Sequence, residues 1–261
     1  MPHGALYFAA MAADRTSLLL RWYERERRDL PWRRTTDPYA ILVSEVMLQQ
    51  TQVARVLPRY EAWLARWPTA ETLAAAALED VLREWVGLGY NRRAVRLWET
   101  ARVVASDGWP VRLQDLPGVG PYTAAALGSF AFGRQEVALD TNARRLFARL
   151  GAALVPPPGR AADFNQATME LGATVCTARA PRCGACPLRA GCDGPDTPPA
   201  RAPARGRFED SNRWVRGRVV AALAAGEGVP RDLAPDRLQP ALQGLVRDGL
   251  IRRVAGGYAL G

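Results

Sequence analysis

The sequence predicts a mostly α-helical protein with a cysteine-rich loop and a small mixed module after it. Three observations predict this. Apolar residues recur at three- and four-residue spacing from Thr16 to about Arg149. No run of Val, Ile, Thr and aromatic residues alternates with period two over that stretch. Four cysteines, Cys176, Cys183, Cys186 and Cys192, sit close together in the order C-x6-C-x2-C-x5-C.

In chain order, helices are predicted over 17–28, 40–55, 59–67, 69–86, 92–106 and 122–132, with His3 in a frayed terminus. The breaks fall at Asp37-Pro38, Trp67-Pro68, 87–89, 108–110 and 116–120, where Pro and Gly punctuate the pattern. Thr69, followed by Glu71 and Thr72, reads as a helix start. The stretch 193–210, DGPDTPPARAPARGRFED, is rich in Pro, Arg and Gly and reads as a linker. Helices follow over 213–225 and 238–248. Residues 250–260, LIRRVAGGYAL, read as a hairpin turning at Gly256-Gly257. Two helices and a hairpin of this length suggest a winged-helix-like module, which is either a binding element or a packing appendage.

Composition removes several chemistries. The chain has 261 residues, no lysine and one histidine, so all 35 basic residues are arginine. Ser-His-Asp triads, H-E-x-x-H zinc sites and zinc deaminases need a histidine in the folded body. Walker A loops and Schiff-base chemistry need a lysine. The net charge of +9, carried by arginine, points to nucleic acid as partner, although a GC-rich genome also writes Arg for Lys. No stretch reaches the ~18 consecutive apolar residues of a membrane span, and the N-terminus has no signal-peptide pattern, so a cytoplasmic bacterial protein without membrane contact is expected.

The cysteine array reads as a metal site of four thiolates, for either zinc or an iron–sulfur cluster. Arg179, Arg182 and Arg189 lie among the ligands, where they offset thiolate charge and can also face phosphate. The segment 116–124, LPGVGPYTA, is a tight turn between helices in which Gly118 and Gly120 can take positive φ. Its N–H groups, leading into a helix, suit a DNA phosphate. Two carboxylates stand in uncharged settings. Glu45 lies in ILVSEVMLQQTQ, which has no other charged residue, and Asp140 follows VAL and precedes Thr141-Asn142. A carboxyl kept protonated by apolar surroundings, paired with an ionised one, suits cleavage of a glycosidic bond.

Together these residues resemble the helix-hairpin-helix DNA glycosylases with an iron–sulfur cluster, most closely the adenine-DNA glycosylases of the MutY type. The matching motifs are LPWR (30–33), DPYAILVSEVMLQQTQV (37–53), GLGY (87–90), LPGVGPYTA, LDTNARRL (139–146), FNQATMELGATVC (164–176) and the cysteine array. They run in family order from about residue 16 to 195.

The resemblance implies a two-lobed fold. Residues 1–37 with 146–195 would form an iron–sulfur lobe and 38–145 a six-helix barrel lobe with the hairpin. A linker at 196–211 and the winged-helix-like module at 212–261 would follow. It implies a 4Fe–4S cluster on the four cysteines. Glu45 would be the general acid, Asp140 the carboxylate that stabilises the sugar cation, and Asn142 its support. Gln49, Gln50, Thr51, Leu88, Gly89 and Tyr90 would contact DNA, with Gln50, Leu88 and Tyr90 entering the duplex or supporting the strand once adenine is flipped out. Gly118, Val119 and Gly120 would bind phosphate, with a monovalent cation. Double-stranded DNA with a mismatched or damaged pair is the implied partner, bound by a monomer.

Tyr122 stands where the bifunctional endonuclease III type has its strand-cleaving lysine, so a monofunctional enzyme that leaves an abasic site is expected. The chain departs from the family at Asn91, where a second aromatic commonly follows GLGY, and at Thr141, where glycine commonly follows the aspartate. The roughly 50 residues after the linker are too short and too helical for the longer domain with which typical members read 8-oxoguanine. Opposite-base selection is then expected from the catalytic body, from the small module, or to be lax. The leading expectation is an adenine glycosylase acting opposite 8-oxoguanine or guanine. The alternatives are a thymine or uracil glycosylase on T:G or U:G, and a non-catalytic DNA-binding or redox-sensing protein.

Overall fold

The computed structural model describes residues 3–194, 207–230 and 232–261, with side chains from residue 14 onward. The helices are α1 (His3–Glu26), α2 (Pro38–Leu48), α3 (Val53–Arg66), α4 (Ala70–Ala74), α5 (Leu78–Trp85), α6 (Arg92–Asp107), α7 (Pro121–Phe132), α8 (Thr141–Leu150), α9 (Ala161–Thr174), α10 (Asn212–Ala224) and α11 (Pro235–Arg247). Strands β1 (Ile251–Val254) and β2 (Gly257–Leu260) pair antiparallel, Ile251 opposite Leu260, and form the only sheet among the described residues. Mostly helical architecture with a C-terminal helix–helix–hairpin module is as expected. The hairpin turns one residue earlier than predicted, with Gly256 at φ 81°. Most of the predicted linker, 195–206, lies outside the described residues, and Phe208–Asp210 forms a single 3-10 turn.

The described residues cluster into two compact units, one within Met1–Ile41 and Gly120–Ala202, the other within Leu42–Val119 and Pro203–Gly261. The divisions at 41/42 and 119/120 differ from the predicted 37/38 and 145/146 because α7 and α8 both pack on α9. The C-terminal module falls in the second unit because α10 and β2 pack on α5.

In the first unit, Leu19 and Tyr23 of α1, Leu146 and Leu150 of α8, and Phe164 and Leu171 of α9 form the core. Glu170 of α9 is fully buried, at 0% exposure, and takes both Nε and Nη2 of Arg28 at 2.7 and 2.9 Å. Arg33 Nη2 adds a third bond at 2.7 Å. Burial opposes the charge on Glu170, but the Arg28 and Arg33 hydrogen bonds outweigh it and hold its carboxyl below the usual range. This explains the Arg of LPWR: it neutralises a buried acid more than a hundred residues away in sequence.

In the second unit, α4 and α5 pack on α6, and Trp63, Trp67 and Trp85 meet edge to face at 4.8 and 5.5 Å. Thr69 caps α4 through a reciprocal box with Thr72, as expected of a helix start.

Three helix boundaries differ from the periodicity. The first helix begins at His3, not 17; the His3 side chain lies outside the described residues. The predicted 69–86 helix is two helices, because Ala77 is extended and the Ala76 carbonyl accepts from Trp98 Nε1 at 3.0 Å. The predicted break after Arg55 falls instead at 49–52, where Arg93 takes the carbonyls that would continue α2.

Candidate active site

In the first unit the backbone before Asp140 is set by Asn165, which is wholly buried. Its Nδ2 donates to Ser129 Oγ and the Glu136 carbonyl at 2.9 and 2.8 Å, and its Oδ1 accepts from Ala138 N–H at 3.0 Å. Asp140 then caps α8. One carboxylate oxygen accepts from Ala143 N–H at 2.6 Å and the other from Asn142 Nδ2 at 2.9 Å. Asn142 Oδ1 accepts from Arg145 Nη2 at 2.8 Å, and Arg145 also donates to the carbonyls of Gly172 at 2.7 Å and Cys176 at 2.9 Å. Both Asp140 oxygens are therefore fixed in place. A Cβ on Gly172 would fall 2.5 Å from Asn142 Cβ, so the approach of α8 to α9 requires glycine there. Tyr122 sits in the first turn of α7 with its hydroxyl 3.9 Å from Met169 Sδ.

The four cysteines form no disulfide with one another and line one cavity walled by Leu146, Leu150 and Val175. Burial pushes the Cys186 thiol up, and the neighbouring thiols add to the effect. Arg149 donates to Cys176 Sγ at 3.3 Å and to the Thr177 carbonyl at 2.8 Å. Arg182 and Arg189 brace the loop through the carbonyls of Thr174 and Cys192 at 2.6 and 3.0 Å, while Arg179 is exposed. Among the described residues, no three Cys, His, Asp or Glu side chains are grouped to hold a single metal ion. Four thiols lining one cavity are a donor set that suits an iron–sulfur cluster.

In the second unit Glu45 lies on α2 at 7% exposure, between buried Ser44 and Val46. The helix ends where Arg93 of α6 arrives. Its Nη1 donates to the carbonyls of Val46, Met47 and Gln49 at 2.8, 3.0 and 2.7 Å. Its Nη2 reaches Thr51 Oγ1 and the carbonyls of Leu88 and Gly89 at 3.2, 3.0 and 2.9 Å. Burial lowers Arg93 to about 10, which leaves it charged at neutral pH. One guanidinium thus joins SEVMLQQT to GLGY. Arg93, Arg145 and Asn165 carry no role legible in the sequence; for Arg93, a basic residue just inside a helix that follows two glycines is the only local hint.

That junction forces unusual backbone. Gln50 and Tyr90 take φ of 56° and 48°, and Gly87 and Gly89 are also left-handed. Tyr90 is 38% exposed, whereas Leu88 is buried. In the hairpin, Gly118 has φ 74° and a Cβ there would sit 2.8 Å from Arg96 Cβ, so glycine is required on both counts. Val119 is buried. Gly120 differs from expectation: its φ is −83°, an extended cap for α7, because Pro121 opens the helix at once. Gln49 and Gly118 share a pocket of about 250 Å³ with Arg93 and Arg96. The site residues from Glu45 to Val119 therefore belong to the second unit. Gly120, Tyr122, Asp140, Asn142 and the cysteines belong to the first.

Residues 43–162 match the HhH-GPD superfamily base excision DNA repair protein model, and 176–192 match the iron-sulfur binding domain of endonuclease III. An adenine DNA glycosylase of Mycobacterium tuberculosis is 45% identical over 93% of this chain and 92% of that protein. The chain belongs to the adenine DNA glycosylase family. A human member is 44% identical over 70% of the chain and 40% of its own length. The mycobacterial match is broad enough to include most of the C-terminal module. Among solved structures, a thermostable thymine-DNA glycosylase is 31% identical with a TM-score of 0.64, covering 69% of this chain and 94% of that one. In this family the four cysteines hold a 4Fe–4S cluster, which cross-links the 176–192 loop. Among the described residues, no helix is long and apolar enough to cross a membrane.

Proposed function

We propose that the protein hydrolyses the N-glycosidic bond of adenine mispaired with 8-oxoguanine or guanine in duplex DNA. The observation that carries this reading is 45% identity to an adenine DNA glycosylase across nearly the whole chain, which itself holds the candidate carboxylates Glu45 and Asp140. The adenine nucleotide is flipped from the stack, with Gln50 and Tyr90 supporting the strand and the 118–120 hairpin holding a phosphate and a monovalent cation. Glu45 donates a proton to an adenine ring nitrogen as the C1′–N9 bond breaks. Asp140, oriented by Ala143 N–H and Asn142, stabilises the sugar cation. Water adds its hydroxyl to C1′, and the remaining proton returns to the medium.

Tyr122 cannot form a Schiff base, so the product is an abasic site in an unbroken strand. One observation favours a second reading, thymine or uracil release opposite guanine: the likeness to a thymine-DNA glycosylase at 31% identity. Single-turnover release from A:8-oxoguanine, A:G, A:C, T:G and U:G duplexes, read before and after alkali, decides between them. Adenine release with strand breaks only after alkali supports the first reading. Thymine or uracil release with adenine untouched overturns it.

A further inference from the structure

Within the first unit, Asp140 is reached by an irregular stretch. Residues 133–140 join α7 to α8 and form no regular element. The one strand pair among the described residues, β1 with β2, belongs to the second unit. Asn165 of α9 takes the part of a strand neighbour instead. Its Oδ1 accepts from Ala138 N–H at 3.0 Å, and its Nδ2 donates to the Glu136 carbonyl at 2.8 Å. A carbonyl and an N–H two residues apart, both taken by one amide, is the pattern with which a residue pairs across a parallel ladder. The two bonds fix the peptide planes on either side of Val137, which packs on the core of the unit. Asp140 lies two residues further on.

Asparagine is a costly choice at this position. It is a weak helix former set inside α9, and its amide is wholly buried, which is unfavourable unless its polar atoms are paired. Ser129 Oγ, also buried, takes a further Nδ2 bond at 2.9 Å. Leucine or alanine would serve the helix and the core better. What an amide adds is the pair of bonds to 136 and 138. Ala143 N–H and Asn142, which follow Asp140 in the chain, hold its carboxylate. Asn165 holds the chain that leads into it, so Asp140 is fixed from both directions.

We infer that Asn165 is a positioning residue for the reaction: by pairing with 136 and 138 it sets where the Asp140 carboxylate meets the developing sugar cation. It acts through the backbone and not on the substrate. A displacement of ~1 Å at such a group costs on the order of 10²-fold in rate. The inference rests on the role proposed for Asp140.

The test uses the full-length protein with its cluster and measures Kd by fluorescence anisotropy for two duplexes that cannot be cleaved. One carries a 2′-fluorinated adenine nucleotide, which is neutral. The other carries a pyrrolidine in place of the sugar, whose protonated nitrogen puts positive charge where the sugar cation forms. The wild type should bind the cationic duplex at least tenfold more tightly than the neutral one. Asn165→Ala should bring that ratio to within about twofold and slow single-turnover adenine release about 10²-fold, while the neutral duplex binds within about twofold of wild type. Asn165→Leu keeps the bulk, should do the same, and carries the test if the alanine variant does not fold. Thr168→Val is the control. It removes a buried bond from Thr168 Oγ1 to the Asn165 carbonyl, 2.8 Å long, and leaves the side-chain amide in place. Ratio and rate should then stay within about threefold of wild type. A wild-type-like ratio in a folded Asn165 variant overturns the inference alone. So does an equal weakening of both duplexes, a Thr168→Val protein that loses the ratio as fully, or failure of both Asn165 variants to fold, since each marks a role in the fold only. A wild-type ratio near one overturns the role given to Asp140, and the inference with it.

Discussion

Glu170 in the first unit and Glu45 in the second are both glutamates buried in helices, at 0% and 7% exposure, yet the roles proposed for them differ. Glu170 receives three side-chain N–H bonds from Arg28 and Arg33. The local sequence does not separate the two, since 41–52 and 164–178 each hold no other charged residue; for Glu170 it is the fold that brings Arg28 and Arg33 to it. A buried acid gripped by two cations is committed to its charge and to the fold. Glu45 is the acid whose proton moves in the proposed reaction. Arg93 shows a third solution, a half-buried cation whose two Nη groups are taken almost entirely by backbone carbonyls, while its Nε is buried without a hydrogen-bond partner among the described residues.

The sharpest way to break this contrast is Glu45→Gln. Single-turnover adenine release should fall by about 10²–10⁴-fold, the usual worth of a general acid, while urea unfolding and duplex affinity stay near wild type. A large loss of stability would put Glu45 in the same structural class as Glu170. Glu170→Ala should do the reverse, costing about 3–5 kcal/mol in urea unfolding because two arginines lose their partner.

The same pair sets an acid limit. The Glu170 carboxyl is held below its unfolded value, so its stabilisation is present above about pH 4.3 and fades as pH falls through the lower folded value. Glu170→Gln should flatten that part of the pH–stability profile measured by thermal melting.

Arg93→Ala tests the carbonyl-satisfied cation. It should cost about 2–3 kcal/mol and raise amide hydrogen exchange at both 46–51 and 86–90, since one side chain holds both. Exchange confined to α6 would show that the two segments hold themselves. The smallest effect is expected from Gly172→Ala, about 1–3 kcal/mol by overpacking against Asn142. It should nevertheless slow adenine release, because Asn142 orients Asp140. A rate equal to wild type would detach that orientation from the α8–α9 spacing.

Much of the candidate site was legible in the sequence because its parts are local. Glu45 in an uncharged helix, the Asp140 cap three residues before Ala143, Gly118 in its turn and the cysteine spacing all lie within short windows. The residues that hold them were not legible. Asn165 acts 27 residues away on Ala138, and Arg145 acts 31 residues away on Cys176. Neither distance leaves a trace in periodicity.

The same division runs through the fold. The sequence by itself determined that the body is helical, that four thiolates share one loop, and that a helix–helix–hairpin module follows, because 3.6-residue periodicity, ligand spacing and Gly-marked turns are properties of neighbouring residues. Only the tertiary structure decided where α2 stops, that 70–85 is two helices, and that α10 sets Arg213 against Tyr90. Each was settled by a side chain from a distant segment claiming a carbonyl or a ring. Such contacts exist only once the chain has brought those segments together.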